Sequence, residues 1–192
     1  MNLQALKDEL RRRALAARRI AHEAAPDAGE RLIDQFPFEL LAPGAVVSAY
    51  WPLPGEIDPR PLMAELSARG ARLALPVIVA PGAPLIFRAW KNGDALEPRA
   101  FGLMEPPVDA PELIPDILLV PLLAIDPDGN RLGFGRGYYD RTLAGLRAKG
   151  APVAVGLAHE AQIVPAVPVD AFDQPLDRVV TEERGRVIPE AS

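Results

Sequence analysis

Between positions 126 and 141 the chain reads DPDGNRLGFGRGYYDR, where Gly133, Gly135 and Gly137 alternate with Phe134 and Arg136 after Arg131 and Leu132 and before Tyr138 and Tyr139. Missing side chains let an anionic ligand approach the main chain closely, while Arg131 and Arg136 can add charge-assisted contacts. Phosphate is the guest that such a stretch suits. The spacing is neither the G-x-G-x-x-G of dinucleotide sites nor the G-K-[ST] ending of a P-loop. A plain strand-to-helix connection, with glycines meeting left-handed angles and solvated arginines, accounts for the same residues. Asp140 falls in the first turn of the following helix, where a carboxylate is favoured electrostatically with or without a metal. Magnesium binds through few carboxylates plus phosphate oxygens and water, so Asp140 needs at most one protein partner for that role. Neighbours on a helix point about a third of a turn apart, so one tyrosine packs under the helix and the other faces the loop.

The loop needs a strand before it and a helix after it. DILLVPLLAID at 116–126 reads as one nearly continuous apolar strand covered on both faces, and YYDRTLAGLRAKG as a helix with Tyr139, Leu143 and Leu146 inward, ended by Gly150. Upstream, Leu3, Leu6, Leu10, Ala14, Ala17 and Ala21 recur at three and four, predicting a helix over 2–25 with this side inward and the arginines outward. A second helix starts after Pro26 with Asp27 as N-cap and stops near Pro37. GAVVSAYW, the turn-rich PLPGEIDPR and PLMAELSARG form a strand, loop and helix, closed by Gly70. RLALPVIV and PLIFRAW are strands joined by APGA as a hairpin or short connection, and 91–116 reads as surface loop. VAVGLA and RVVTEE finish the sheet, with GRVIP as an edge. Strands alternating with helices predict an α/β fold, a three-layer domain spanning 1–192 with a mostly parallel sheet flanked by helices.

Composition limits the partners. The 192 residues carry 26 acidic against 21 basic side chains, a net charge of -5, so there is no broad basic footprint for nucleic acid. The longest apolar run, ILLVPLLAI, is too short to span a bilayer, and no signal-peptide core precedes it, so no membrane partner is expected. The absence of cysteine excludes thiolate metal sites and a cysteine nucleophile and suits a reducing compartment, the cytoplasm. His22 and His159 lie too far apart in sequence to form a recognisable metal motif. Lys7 and Arg11 share a helix face, which on its own reads as a solvated basic surface with Arg12, Arg13, Arg18 and Arg19.

The stretch G-N-R-L-G-F-G-R-G-Y-Y-D-R at 129–141 resembles the signature of the 5-formyltetrahydrofolate cyclo-ligase family, also called methenyltetrahydrofolate synthetases. The likeness extends to Lys7-x-x-x-Arg11 in the first helix, Pro52-x-x-x-Glu56-Ile57 after a strand, and Asp177-x-Val179-Val180-Thr181-Glu182 near the end. It implies conversion of 5-formyltetrahydrofolate to 5,10-methenyltetrahydrofolate with ATP and Mg2+, through phosphorylation of the formyl oxygen and closure by N10. By the same resemblance, Lys7, Arg11 and the run Arg131, Leu132, Gly133, Phe134, Gly135, Arg136, Gly137, Tyr138 and Tyr139 bind ATP. Trp51, Glu56 and Phe134 to Tyr138 contact the folate, Asp140 and Asp177 hold magnesium, and Arg136, Tyr138 and Asp140 are the catalytic residues. The implied partners are these small molecules, the chain acting as a monomer or weak homodimer. Arg136 stands where relatives often have Lys or Gly, and Pro59 where a threonine is common, which removes a hydroxyl and a backbone donor near Glu56. A catalytically silent folate or nucleotide sensor and a sugar-phosphate enzyme or sensor are the other readings; the latter does not explain paired tyrosines with Lys7 and Arg11.

Overall fold

The computed structural model describes residues 2–150 and 152–188, apart from the side chain of Phe101, so Pro189 of the expected edge strand lies outside the described residues. Leu3–Ala24 forms α1, whose N-cap Asn2 accepts the Ala5 N–H at 2.8 Å. α2 (Ala28–Gln35) follows Asp27, which occupies the N-cap position without a side-chain cap bond. Next come β1 (Val46–Ser48), α3 (Arg60–Ala68), β2 (Arg72–Val77) and β3 (Ile86–Ala89), the last returning antiparallel to β2 as the short connection requires. Within the stretch read as loop, β4 (Glu97–Pro98) and β5 (Met104–Glu105) form a small antiparallel hairpin. The remainder is β6 (Ile117–Pro121), β7 (Ala124–Ile125), β8 (Arg131–Leu132), α4 (Tyr138–Arg147), β9 (Val153–Leu157), β10 (Arg178–Val180) and β11 (Gly185–Val187).

Seven strands form one sheet in the order β11-β10-β9-β6-β1-β2-β3. All inner pairings are parallel, and β3 and β11 are antiparallel strands at the two edges. One face buries Leu32 of α2 and Leu62 and Leu66 of α3 against Val47 and Leu75; the other buries Leu143 of α4 against Leu118 and Val120. Each such leucine is fully buried, worth about 1.5–3 kcal/mol. The expected α/β architecture with a mostly parallel sheet is therefore observed, and no helix among the described residues is long and apolar enough to cross a membrane.

Two aspartates close the amino edge of the sheet. Asp116 accepts the Val46 N–H at 2.8 Å and Asp177 accepts the Ala154 N–H at 2.7 Å. In each pair the aspartate's own N–H also donates to the carbonyl of the same residue, at 2.8 and 2.9 Å. The carboxylate substitutes for a backbone carbonyl where the neighbouring strand has not yet begun.

Two expectations fail for identifiable reasons. The run 116–126 is two strands: β6 stops at Pro121, which has no N–H for a further ladder bond, and β7 leaves the sheet to pair with β8. The Gln162 side chain donates to the freed carbonyls of Leu122 and Leu123 at 2.7 and 3.1 Å, so the break leaves them satisfied. The inward face of α1 is also different. Leu3 and Leu6 are exposed, whereas Lys7, Ala14 and Arg18 are the buried residues of the helix. Polar partners elsewhere in the fold, not leucine periodicity, orient it.

Gly129, in the turn between β7 and β8, has φ 81°, and a Cβ there would lie 2.6 Å from the Leu176 carbonyl oxygen. Gly145 sits on the exposed side of α4 with nothing within 4 Å of a Cβ. Gly129→Ala is therefore expected to lower stability by about 2 kcal/mol or more, and Gly145→Ala to raise it by about 0.5–1 kcal/mol. Urea unfolding of the two variants beside the parent checks both signs.

Candidate active site

The glycine loop is fixed at both ends. At its entry, buried Asp126 accepts the N–H groups of Asp128, Asn130 and Val167 at 3.1, 3.0 and 2.9 Å, which holds the β7–β8 turn and aims Arg131 and Leu132. At its exit, Gly137 is the N-cap of α4 with φ 65° and offers no side-chain acceptor to the helix's first N–H groups. Between them the Gly133 carbonyl accepts the Arg11 Nε–H at 3.1 Å, and a Cβ on Gly135 would come within 3.1 Å of the Arg11 guanidinium. Gly135, at φ 89°, is thus required twice, by its backbone angle and by the cation lying against it.

The loop forms one wall of a cleft of about 1550 Å³. A pocket for one drug-sized ligand has about 300–1000 Å³, so this cleft has room for two such molecules. It opens where β1, β2 and β6 end, bounded by Tyr50 and Trp51, by Val77 and Ile78, and by Pro121. Lys7, Arg11, Trp51, Glu56, Asp140 and the whole run 131–139 line it. Residues that the sequence scatters over 134 positions therefore converge.

Asp177 is the exception, and here the expectation of a shared metal site is corrected. It does not line the cleft, because it belongs to the amino edge of the sheet, and its carboxylate is taken up by the Ala154 N–H and by Arg147 at 3.1 Å. Asp140 is placed differently. Its Oδ1 accepts from Arg131 Nη2 at 2.8 Å and the Gln174 N–H at 3.1 Å, while Oδ2 has no hydrogen bond among the described residues. One free carboxylate oxygen in an open cleft suits Mg2+, which completes its shell with phosphate oxygens and water. The donor set fits magnesium at Asp140 and does not fit it at Asp177.

Two buried cations of α1, Lys7 at the cleft wall and Arg18 behind it, are already engaged. Lys7, only 7% exposed, donates to Asp170 at 2.8 Å and Asp173 at 2.5 Å. Burial alone lowers the pKa of its ammonium, but the hydrogen bonds and charges of the two aspartates outweigh that and raise it. Arg18, 5% exposed, lies 3.6 Å from Glu56 and beneath the Phe134 ring at 5.4 Å. Glu56 is held above the ordinary carboxyl range by burial, against the opposing Leu53 N–H and Arg18. Burial likewise raises the Tyr139 hydroxyl, which is the inward tyrosine. Arg18, Tyr50, Asp170 and Asp173 escape the sequence reading. Arg18 resembles its solvated neighbours, and only its phase, four residues after Ala14, marks it.

His159 is neither exposed nor satisfied. It is fully buried, neither ring nitrogen has a hydrogen bond among the described residues, and it meets His22 edge-on at 5.8 Å beneath the end of α1. Its nearest carboxylate is Glu182, at 3.9 Å.

The profile of the 5-formyltetrahydrofolate cyclo-ligase family matches residues 3–182. The chain is 35% identical over 180 residues to the 5-formyltetrahydrofolate cyclo-ligase of Escherichia coli K12, covering 91% of this chain and 96% of that one. It is 34% identical over 191 residues to the Mycolicibacterium smegmatis protein of the same name, covering 94% and 96%. The NMR structure of Aquifex aeolicus 5,10-methenyltetrahydrofolate synthetase is similar with a TM-score of 0.78 at 32% identity, over 97% of this chain and 95% of that one.

The buried histidine gives a testable acid sensitivity. Burial first, then the charges of His22 and Arg18, lower the His159 pKa from 6.5 to about 4. Between those values the unfolded chain binds the proton and the folded chain does not, so stability falls as pH drops through this window. Urea unfolding at pH 7 and pH 5 is expected to show a loss about 2 kcal/mol larger in the parent than in His159→Asn.

Proposed function

The chain belongs to the 5-formyltetrahydrofolate cyclo-ligase family, and from that premise we propose that it converts 5-formyltetrahydrofolate and ATP to 5,10-methenyltetrahydrofolate, ADP and phosphate in this cleft. The observation that carries the reading is the convergence of two sets of residues. Those matched to nucleotide contacts, Lys7, Arg11 and the glycine loop, and those matched to folate contacts, Trp51 and Glu56, open into the same space. That volume accommodates both substrates.

The reaction must turn an amide-like oxygen into a leaving group. The formyl oxygen attacks the γ-phosphorus, the bond from that phosphorus to the bridging oxygen breaks, and ADP departs with the electron pair. The carbon, now an iminium bearing phosphate, is attacked by N10; phosphate leaves with its electrons and the N10 proton is lost. No protein nucleophile is needed, so catalysis consists of alignment and charge stabilisation. The unpaired N–H groups at the start of α4 meet the phosphoryl oxygens, and Arg136 and Tyr138 donate to the group in transit. Arg11 also fixes the loop, its Nε donating to the Gly133 carbonyl. Arg131, buried against Asp140, holds that carboxylate in place. Mg2+ bound by Asp140, phosphate oxygens and water would neutralise phosphate charge. Glu56 accepts hydrogen bonds from the donor-rich pterin edge, with Arg18 keeping the carboxylate ionised once the ligand is seated. The chain works as one domain over 1–192, as a cytoplasmic monomer or weak homodimer.

Two measurements test this reading. Purified protein given ATP, Mg2+ and 5-formyltetrahydrofolate should develop methenyl absorbance, and omission of ATP should abolish it. Asp140→Asn should reduce turnover about a hundredfold while lowering stability by only about 1–2 kcal/mol, since the amide still accepts from Arg131. Equal loss of both would make Asp140 a helix-end stabiliser. Because the Glu56 pKa is raised, folate affinity should decline on acidification at a pH above the 4.5 of an ordinary glutamate, as protonation removes the acceptor. Glu56→Gln should bind more weakly and lose that dependence in equilibrium titrations.

A further inference from the structure

Arg88 lines the same cleft as the glycine loop, and none of the roles assigned so far uses it. It lies on the edge strand β3 opposite Leu75 of β2. Phe87 packs into the core on the α4 side of the sheet and Trp90 into the core on the other side, so alternation turns Arg88 to the side of Trp90 and Leu75. Among the described residues the buried Arg88 Nε has no hydrogen-bond partner and its guanidinium makes no ion pair. The nearby cation behaves differently: Arg99, on the hairpin that also borders the cleft, is matched by Glu97 and by Glu105 at 3.1 Å. A half-buried guanidinium left with an unmet donor is costly unless something else meets it.

We propose that Arg88 receives a carboxylate of the glutamate tail of the folate substrate, a subsite that fixes how the tail leaves the cleft. This rests on the function proposed above. The substrate chemistry supplies the acceptor: beyond its pterin and aminobenzoyl rings a folate ends in a glutamate with two carboxylates. Glu56, the apolar Leu53, Leu103 and Met104, and Arg88 line one cleft, so in this arrangement the pterin sits at Glu56, the aminobenzoyl ring on the apolar residues and the glutamate at Arg88. A carboxylate lying side-on to Nε and one Nη makes the paired contact for which a guanidinium is shaped, and it satisfies the buried Nε.

The test compares two ligands, 5-formyltetrahydrofolate and the analogue whose glutamate is replaced by methylamide, by isothermal titration calorimetry on the parent, Arg88→Gln and Arg88→Lys. The parent should bind the full ligand at least about tenfold more tightly than the analogue. Arg88→Gln should bind both equally, at the strength the parent shows for the analogue, and Arg88→Lys should retain part of the preference because it keeps the charge and loses the fork. A parent without preference, an Arg88→Gln that weakens both ligands alike, or one that keeps the parent's ratio would each overturn the subsite. Turnover is followed in parallel. If the parent forms no methenyl product yet the binding ratio collapses in Arg88→Gln, the proposed reaction fails and the subsite stands; if product forms and the ratio is unchanged, the reverse holds.

Discussion

Buried positive charge needs a fixed partner, and that constraint organises this protein. Lys7, Arg18 and Arg131 are each less than a tenth exposed, and each is met by carboxylate: Asp170 and Asp173, Glu56, and Asp140 respectively. A cation withdrawn from water without such a partner costs several kcal/mol, so these pairs must form for the chain to close. They join distant parts of the sequence. α1 is held to the 170–173 segment by one pair and to the turn after β1 by another, and β8 is held to α4 by the third. The cleft is the space these pairs enclose.

In the proposed reaction the same pairs prepare the chemistry. Phosphoryl transfer gains most from charges and dipoles already oriented before the reaction begins. Asp140 keeps one oxygen engaged and the other available, Glu56 is held between burial and Arg18, and Arg11 braces the glycine loop through the Gly133 carbonyl. Lys7 is the least direct of these residues. Its ammonium is bound to two aspartates, so the phosphate contact proposed for it would require the acidic turn to yield its hold.

How much of this could be read beforehand depended on the range of the forces involved. The glycine loop was legible because left-handed backbone and close approach leave a mark in one short stretch, and the order of strand, loop and helix followed from it. The parallel sheet was legible from apolar runs alternating with helices. The inward face of α1 was not, since leucine spacing predicts a hydrophobic face, whereas the partners of Lys7 and Arg18 lie at positions 170, 173 and 56. The end of β6 at Pro121 was visible as a residue but not as a break, because the carbonyls it frees are satisfied by Gln162, forty residues later for Leu122. Asp177 illustrates the limit of motif transfer. A family pattern gave it a position in sequence, and only the sheet shows that this position is at the end remote from the cleft.

Asp116 and Asp177 have a geometric consequence for the rest of the sheet. Each supplies a rung beyond the point where its neighbour's ladder would otherwise start, and a rung of this kind forms in only one alignment of the two strands. Sliding β1 against β6, or β9 against β10, by a single residue would break it and also turn every side chain of the moving strand to the opposite face. The aspartates thus act as index pins at one end of a ruler, and at the other end Tyr50, Trp51 and Pro121 fall where they do because the zero mark cannot drift.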